Sequence, residues 1–199
     1  PKALVHWEGR PLALAHAEAA RAAGCTTVRV VVRAAVAEAL PPPPPGVTWW
    51  VSHRPASEGP AGSLVAALAD RPTAARVAVS PVDLPPAAWR CLPALVAALA
   101  RGADAAKPVH AGRGGHPVLV RMAVLEGYTR GSYEPLRAVL RALGDRVVSV
   151  PVDEPAVLGD LDTPEALHDA ADGKGLAYTA ADVDAPTDPL RRAGPTRLP

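Results

Sequence analysis

Three short runs rich in β-branched residues, 27–32 (TVRVVV), 47–52 (VTWWVS) and 76–81 (RVAVSP), alternate with alanine-rich segments of helical composition. Runs without polar alternation read as parallel strands buried on both faces. Parallel strands need crossover connections, and these are nearly always right-handed and helical. The alternation therefore predicts an α/β fold, a three-layer sandwich around a mostly parallel, mixed, Rossmann-like sheet. The strands at 27–32 and 76–81 are expected in one common sheet. With 199 residues, 49% of them hydrophobic, the chain is long enough for one domain with its own core. It has no Phe and 4% aromatic residues, so Ala, Val and Leu must fill that core.

The helices follow from their punctuation. Residues 11–23 (PLALAHAEAARAA) open on Pro11 and are followed by Gly24, the asymmetry of helix ends. Residues 34–40 and 63–69 are shorter helices, and the five prolines 41–45 between two core elements form a stiff surface connector. Residues 86–101 are expected as one long helix that tolerates Pro93 at some cost. The strict alternation then breaks: 105–110 and 117–120 are strand-like, and the connector AGRGGH between them favours a hairpin. Leu136, Val139, Leu140 and Leu143 stand at helical spacing within 134–143, Gly144 closes that helix, and 146–150 is the last buried strand. A helix over 163–171 ends the domain near residue 172, and 173–199 has the composition of a loosely held tail.

Charge and cysteine usage narrow the partners. Lys and Arg number 21 against 20 Asp and Glu, without long runs of either sign, so neither a nucleic-acid nor a membrane surface is expected. Cys25 and Cys91 have neither metal-ligand spacing nor the number a disulfide framework needs. No secretory segment opens the sequence and no uninterrupted apolar stretch is long enough to span a bilayer, which points to the cytoplasm.

In doubly wound sheets ligands collect beyond the carboxyl ends of the strands, so polar residues there are the ones to weigh. Four places qualify. Lys2 stands in PKAL, seven residues before Gly9 and the segment GRPL. Gly59, Gly62 and Ser63 lie in EGPAGSL, either a plain loop with Ser63 capping a helix, or a turn whose free N–H groups hold phosphate or a base edge. Asp83 follows a strand and precedes a proline-opened helix, where it serves either the helix N-terminus or a hard divalent cation. In DLDTPE, Asp162 or Thr163 has the position of a helix cap, whereas Asp160 does not.

In this order and spacing, PKAL and GRPL, the turn Val82, Asp83, Leu84 and Pro85, GHPV at residues 115–118 and DLDTPE at residues 160–165 resemble the nucleotidyltransferase family that includes the molybdenum-cofactor cytidylyl- and guanylyltransferases. The resemblance runs from Pro1 to about Ala171. It implies binding of a nucleoside triphosphate, CTP or GTP, with Mg²⁺. An acceptor phosphate, of the molybdopterin type, then attacks the α-phosphorus and releases pyrophosphate. On the same resemblance Lys2 neutralises triphosphate charge, Asp83 and Asp160 bind the metal, and Gly115 and His116 touch the acceptor, with a structural loop histidine as the alternative at His116; Gly59, Gly62 and Ser63 are the candidate nucleotide-binding residues. GHPV favours the cytidylyl branch. The family's first strand and its glycine- and arginine-rich loop would precede Pro1, and without that loop the polypeptide as given is expected to bind nucleotide poorly. Two other readings share the fold: a catalytically weak nucleotide-binding accessory protein and a sugar-nucleotide transferase.

Overall fold

A computed structural model describes residues 1–161. The first helix, α1 (Leu12–Ala22), buries Leu12, Ala13, His16, Ala17 and Ala20, one face of a 3.6-residue repeat. Its end is a Schellman motif: Gly24 takes φ +105°, its N–H donates to the Arg21 carbonyl, and the Cys25 N–H donates to the Ala20 carbonyl. Before it, β1 (His6–Trp7) and β2 (Arg10–Pro11) form a minimal hairpin. After it, β3 (Val28–Val32) pairs in parallel with β4 (Val47–Val51), Val28 opposite Val47. The crossover between them contains α2 (Ala34–Ala39) and the proline connector.

The larger sheet is built from β5 (Arg76–Val79), β6 (Ala105–His110), β7 (Arg113–Gly114), β8 (Val118–Arg121) and β9 (Val147–Pro151). Strand β8 lies antiparallel between β5 and β6, and β9 is parallel to β6. Thus β5, β6 and β9 share one direction and β8 is reversed. The reversal follows from the glycine-rich connector after β6, which turns the chain into the expected hairpin through β7.

Alternation along these strands sorts side chains into two cores, which makes the three layers. Ala106 and Leu119 face one side, with Trp89, Leu92, Leu95 and Leu99 of the segment that includes α4 (Leu92–Ala100). Ala105, Val118 and Val120 face the other, with Ala61 and Val65 of α3 (Gly59–Ala67) and Tyr128 of α5 (Glu126–Thr129). The apolar stripe of α6 (Leu136–Leu143) packs on this second core through Leu136, Val139, Leu140 and Leu143.

The α/β class and the mixed sheet stand; four local expectations do not. Among the described residues β3 pairs with β4 and β5 with β8, in separate ladders, so the strands at 27–32 and 76–81 do not share a sheet. A ladder needs backbones about 5 Å apart, and these two strands exchange no ladder bonds. The helix expected from residue 63 begins four residues earlier, because the Gly59–Pro60 pair is suited to a first helical turn. The expected long helix over 86–101 is a 3₁₀ turn, Pro86–Cys91, followed by α4. The break places Pro93 in the first turn of α4, where its missing N–H costs nothing. Finally, β9 is half exposed rather than buried, with Val148 and Ser149 open on the described residues. The expected helix at 163–171, the domain end near 172 and the tail 173–199 lie outside the described residues. No described helix is long and apolar enough to cross a membrane.

Candidate functional site

Beyond the carboxyl end of β5 the chain makes a turn through Val82, Asp83, Leu84 and Pro85, and three contacts hold it. The Leu161 N–H donates to the Asp83 carbonyl at 2.8 Å. The His16 ring bonds the Leu84 carbonyl through Nε2 at 2.6 Å. Pro85 packs on Gly159 so closely that a Cβ there would stand 2.4 Å from the proline Cδ. The Asp83 carboxylate is left free to project, and Lys2 Nζ donates to its Oδ2 at 3.1 Å. Both side chains of this ion pair are about one-third exposed, at 37% and 35%. Asp83 is not a helix cap, since α4 starts nine residues later and the 3₁₀ turn before it has Pro85 at its N-cap.

The returning hairpin brings Gly115 and His116 to the same place. Ala106 pairs with Leu119, whereas Val109 pairs with Gly114, so four residues, 115–118, stand opposite Lys107 and Pro108. The result is a bulge, a device that re-aims a side chain out of the regular pleat. The Gly115 N–H donates to the Pro108 carbonyl and the His116 N–H to the Val157 carbonyl, both at 2.9 Å. Only glycine fits at 115, because a Cβ would lie 2.1 Å from the Val157 oxygen. Burial pulls the His116 imidazole below its usual range, opposed by the Val79 backbone and the Asp83 charge. Its Nδ1 is buried with no hydrogen-bond partner among the described residues. Such an atom is costly unless a ligand or water satisfies it. Asp160 is exposed and stands one residue before the amide that binds the Asp83 carbonyl. Lys2, Asp83, Gly115, His116 and Asp160 thus belong to one neighbourhood, tied by the Pro155–Leu158 turn and residues 159–161.

Gly59, Gly62 and Ser63 line a different place, a cavity of about 100 Å³ at the carboxyl ends of β3 and β4 that also includes Arg33, Ser52 and Arg54. Here Ser63 is inside α3 and not its cap. The α-helical pattern consumes its N–H and that of Gly62, and the Gly59 N–H donates to the Ala56 carbonyl, which leaves that of Ala61 in the first turn. The two arginines were not foreseen. Arg33 donates to the Ser52 and Arg54 carbonyls. Arg54 grips Glu58 by two bonds, 2.5 and 3.1 Å, and lies over the Tyr133 ring. An arginine directly after a strand was the available signal.

His16 was also missed, because a lone histidine in an alanine-rich helix has no motif around it. Burial holds its imidazole below the usual range, with the Leu84 carbonyl and Asp83 opposing. In the unfolded chain the ring titrates near ~6.5. Below that pH the unfolded state takes up a proton that the folded state resists, so stability is complete above it and falls as pH drops towards the folded value. Melting curves should show Tm decreasing between about pH 7.5 and about pH 5.5, with a shallower slope in His16→Gln. An unchanged slope would contradict a buried neutral ring.

Among the described residues, no three His, Cys, Asp or Glu side chains cluster as a metal cage. A Mg²⁺ site asks for only one or two protein carboxylates, completed by water and substrate phosphates. Asp83 and Asp160 supply hard oxygen donors of that kind.

No curated protein matches the chain. Among solved structures, Rv0371c from Mycobacterium tuberculosis H37Rv has a TM-score of 0.69 at 22% identity, covering 86% of this chain and 89% of that one. Its homologue from Mycobacterium sp. strain JC1 gives 0.65 at 22% identity, covering 87% of each chain. The Rv0371c complex with manganese gives 0.60 at 21% identity, covering 86% of this chain and 92% of that one. These likenesses establish the fold. The family model of the MobA-like NTP transferase domain matches residues 1–147, and the chain therefore belongs to the MobA-like NTP transferase family, which makes it a nucleotidyltransferase.

Proposed function

We propose that the protein transfers a cytidylyl, or alternatively guanylyl, group from a nucleoside triphosphate to a phosphorylated acceptor of the molybdopterin type, releasing pyrophosphate. The observation that carries this reading is the Lys2–Asp83 ion pair, a cation and a carboxylate projecting from a turn fastened on three sides. Phosphoryl-type transfer asks little covalent chemistry of a protein; it needs charge screening and in-line placement. Lys2 exchanges Asp83 for triphosphate oxygens when substrate arrives. Asp83 and Asp160 hold a divalent cation, which would neutralise charge on the phosphates. The manganese present in one Rv0371c structure supports a divalent cation, and Mg²⁺ is the natural occupant for two carboxylates and phosphate.

Gly59, Gly62 and Ser63, with Arg33, form the nucleoside end of the site, lining the cavity at the carboxyl ends of β3 and β4. Gly115 and His116 form the acceptor end, presented by the hairpin bulge. An oxygen of the acceptor phosphate bonds to the α-phosphorus as the bond to the β-phosphate oxygen breaks, and the electron pair leaves with pyrophosphate. GHPV inclines the reading to CTP. Pyrophosphate release by the full-length gene product, with molybdopterin as acceptor, should be faster with CTP than with GTP at equal concentration. Faster turnover with GTP would reassign the base, and turnover with a sugar phosphate but not with molybdopterin would reassign the acceptor.

A further inference from the structure

We propose that His16 is a positioning residue for transfer, its single ring fastening to α1 two points, Leu84 and Trp89, of the segment that follows Asp83. The inference rests on the reading of Asp83 as a metal ligand. Trp89 Nε1–H donates to His16 Nδ1 at 3.0 Å, and His16 Nε2 bonds the Leu84 carbonyl at 2.6 Å. An indole N–H is only a donor and a carbonyl only an acceptor, so the contacts fix the tautomer: the proton is on Nε2, and Nδ1 accepts. Leu84 follows Asp83 directly, and Trp89 lies within the 3₁₀ turn Pro86–Cys91 that comes next. Both bonds are dry, with His16 5%, Leu84 4% and Trp89 8% exposed.

An apolar side chain would satisfy the remaining buried positions of α1, which are Leu12, Ala13, Ala17 and Ala20. A histidine here gives up hydration and recovers it through two bonds that both end on the Asp83 segment. Side chains that orient ligand-bearing groups in this way typically change metal affinity ten- to a hundredfold when removed. The Leu161 amide fixes the carbonyl of Asp83 from the other side, so His16 sets the pitch of the turn and not its existence.

The test compares His16→Leu, which fits the cavity but orphans both partners, with His16→Gln, whose amide can donate to Leu84 and accept from Trp89. Leu125→Ala, in the core on the opposite face of the sheet, serves as the control for lost stability. Trp89→Phe removes one bond and is the substitute if His16→Leu does not fold. Mn²⁺ binding by the full-length protein with a non-hydrolysable CTP analogue is read from the spin-resonance signal of free Mn²⁺. His16→Leu should raise the Mn²⁺ Kd about tenfold and His16→Gln should restore most of it, while Leu125→Ala lowers Tm without moving Kd. An unchanged Kd in His16→Leu, with wild type binding Mn²⁺, would overturn the positioning role alone, as would an equal shift in Leu125→Ala. Wild-type protein that binds no Mn²⁺ would overturn the metal reading of Asp83 and this inference with it.

Discussion

Asp83→Ala should lower kcat for nucleotidyl transfer by about a hundredfold or more while leaving Tm nearly unchanged. The two halves of this expectation have separate causes. The carboxylate lies on a turn whose backbone is held by Leu161, His16 and Gly159, so truncating the side chain leaves those contacts in place. Among the described residues its side-chain partner is Lys2, and an ion pair as open as this one contributes about 0–1 kcal/mol. In the transition state, however, Asp83 would hold the divalent cation that screens charge developing on phosphate oxygens, a contribution on the order of several kcal/mol. Asp160→Ala should follow the same pattern with a smaller loss, since that carboxylate is exposed. Steady-state pyrophosphate release beside a melting curve for each variant checks both halves. Near-normal turnover in Asp83→Ala would remove Asp83 from the reaction.

Gly115→Ala should reverse that pattern, with a large loss of stability and a loss of activity that follows from it. The added methyl would stand 2.1 Å from the Val157 oxygen and 3.0 Å from its Cβ. Neither neighbour is the end of a flexible chain: the carbonyl accepts the His116 N–H and the side chain is fully buried. Overpacking of this kind costs about 1–3 kcal/mol, sometimes more, and at this chain length lowers Tm by about 2–4 °C for each. The displaced Pro155–Leu158 turn leads directly to Gly159, Asp160 and Leu161, so the Asp83 turn should loosen as well. A melting curve and Mn²⁺ binding on the same sample measure both effects. A Gly115→Ala protein as stable as wild type would mean that the hairpin bulge does not pack as described.

What the sequence disclosed and what it withheld divide along a physical line. Features that depend on neighbours in the chain were readable: the Pro11-to-Gly24 frame of α1, the strand at Ala105–His110 and the glycine-rich return. PKAL and GHPV lie within the residues 1–147 that the family model matches, whereas DLDTPE lies beyond them. Features that depend on distant backbone were not readable. The exposure of β9 is set by what lies beside it, and the separation of β3 from β5 by which ladders close. His16 gave no local sign, since its partners are 68 and 73 residues away. Ser63 misled for the opposite reason: it is a good cap in isolation, but Gly59 and Pro60 start the helix first. Asp162, Thr163 and Glu165 lie outside the described residues.

The central claim, that this fold moves a nucleotidyl group, is tested most directly by following label from the α-phosphate of CTP in the full-length gene product. With a divalent cation and molybdopterin present, the account predicts that α-label appears in the acceptor, one pyrophosphate is released for each, and omission of the cation stops both. Release of γ-label as orthophosphate without transfer of α-label to acceptor, or transfer unaffected by removing the cation, would contradict it.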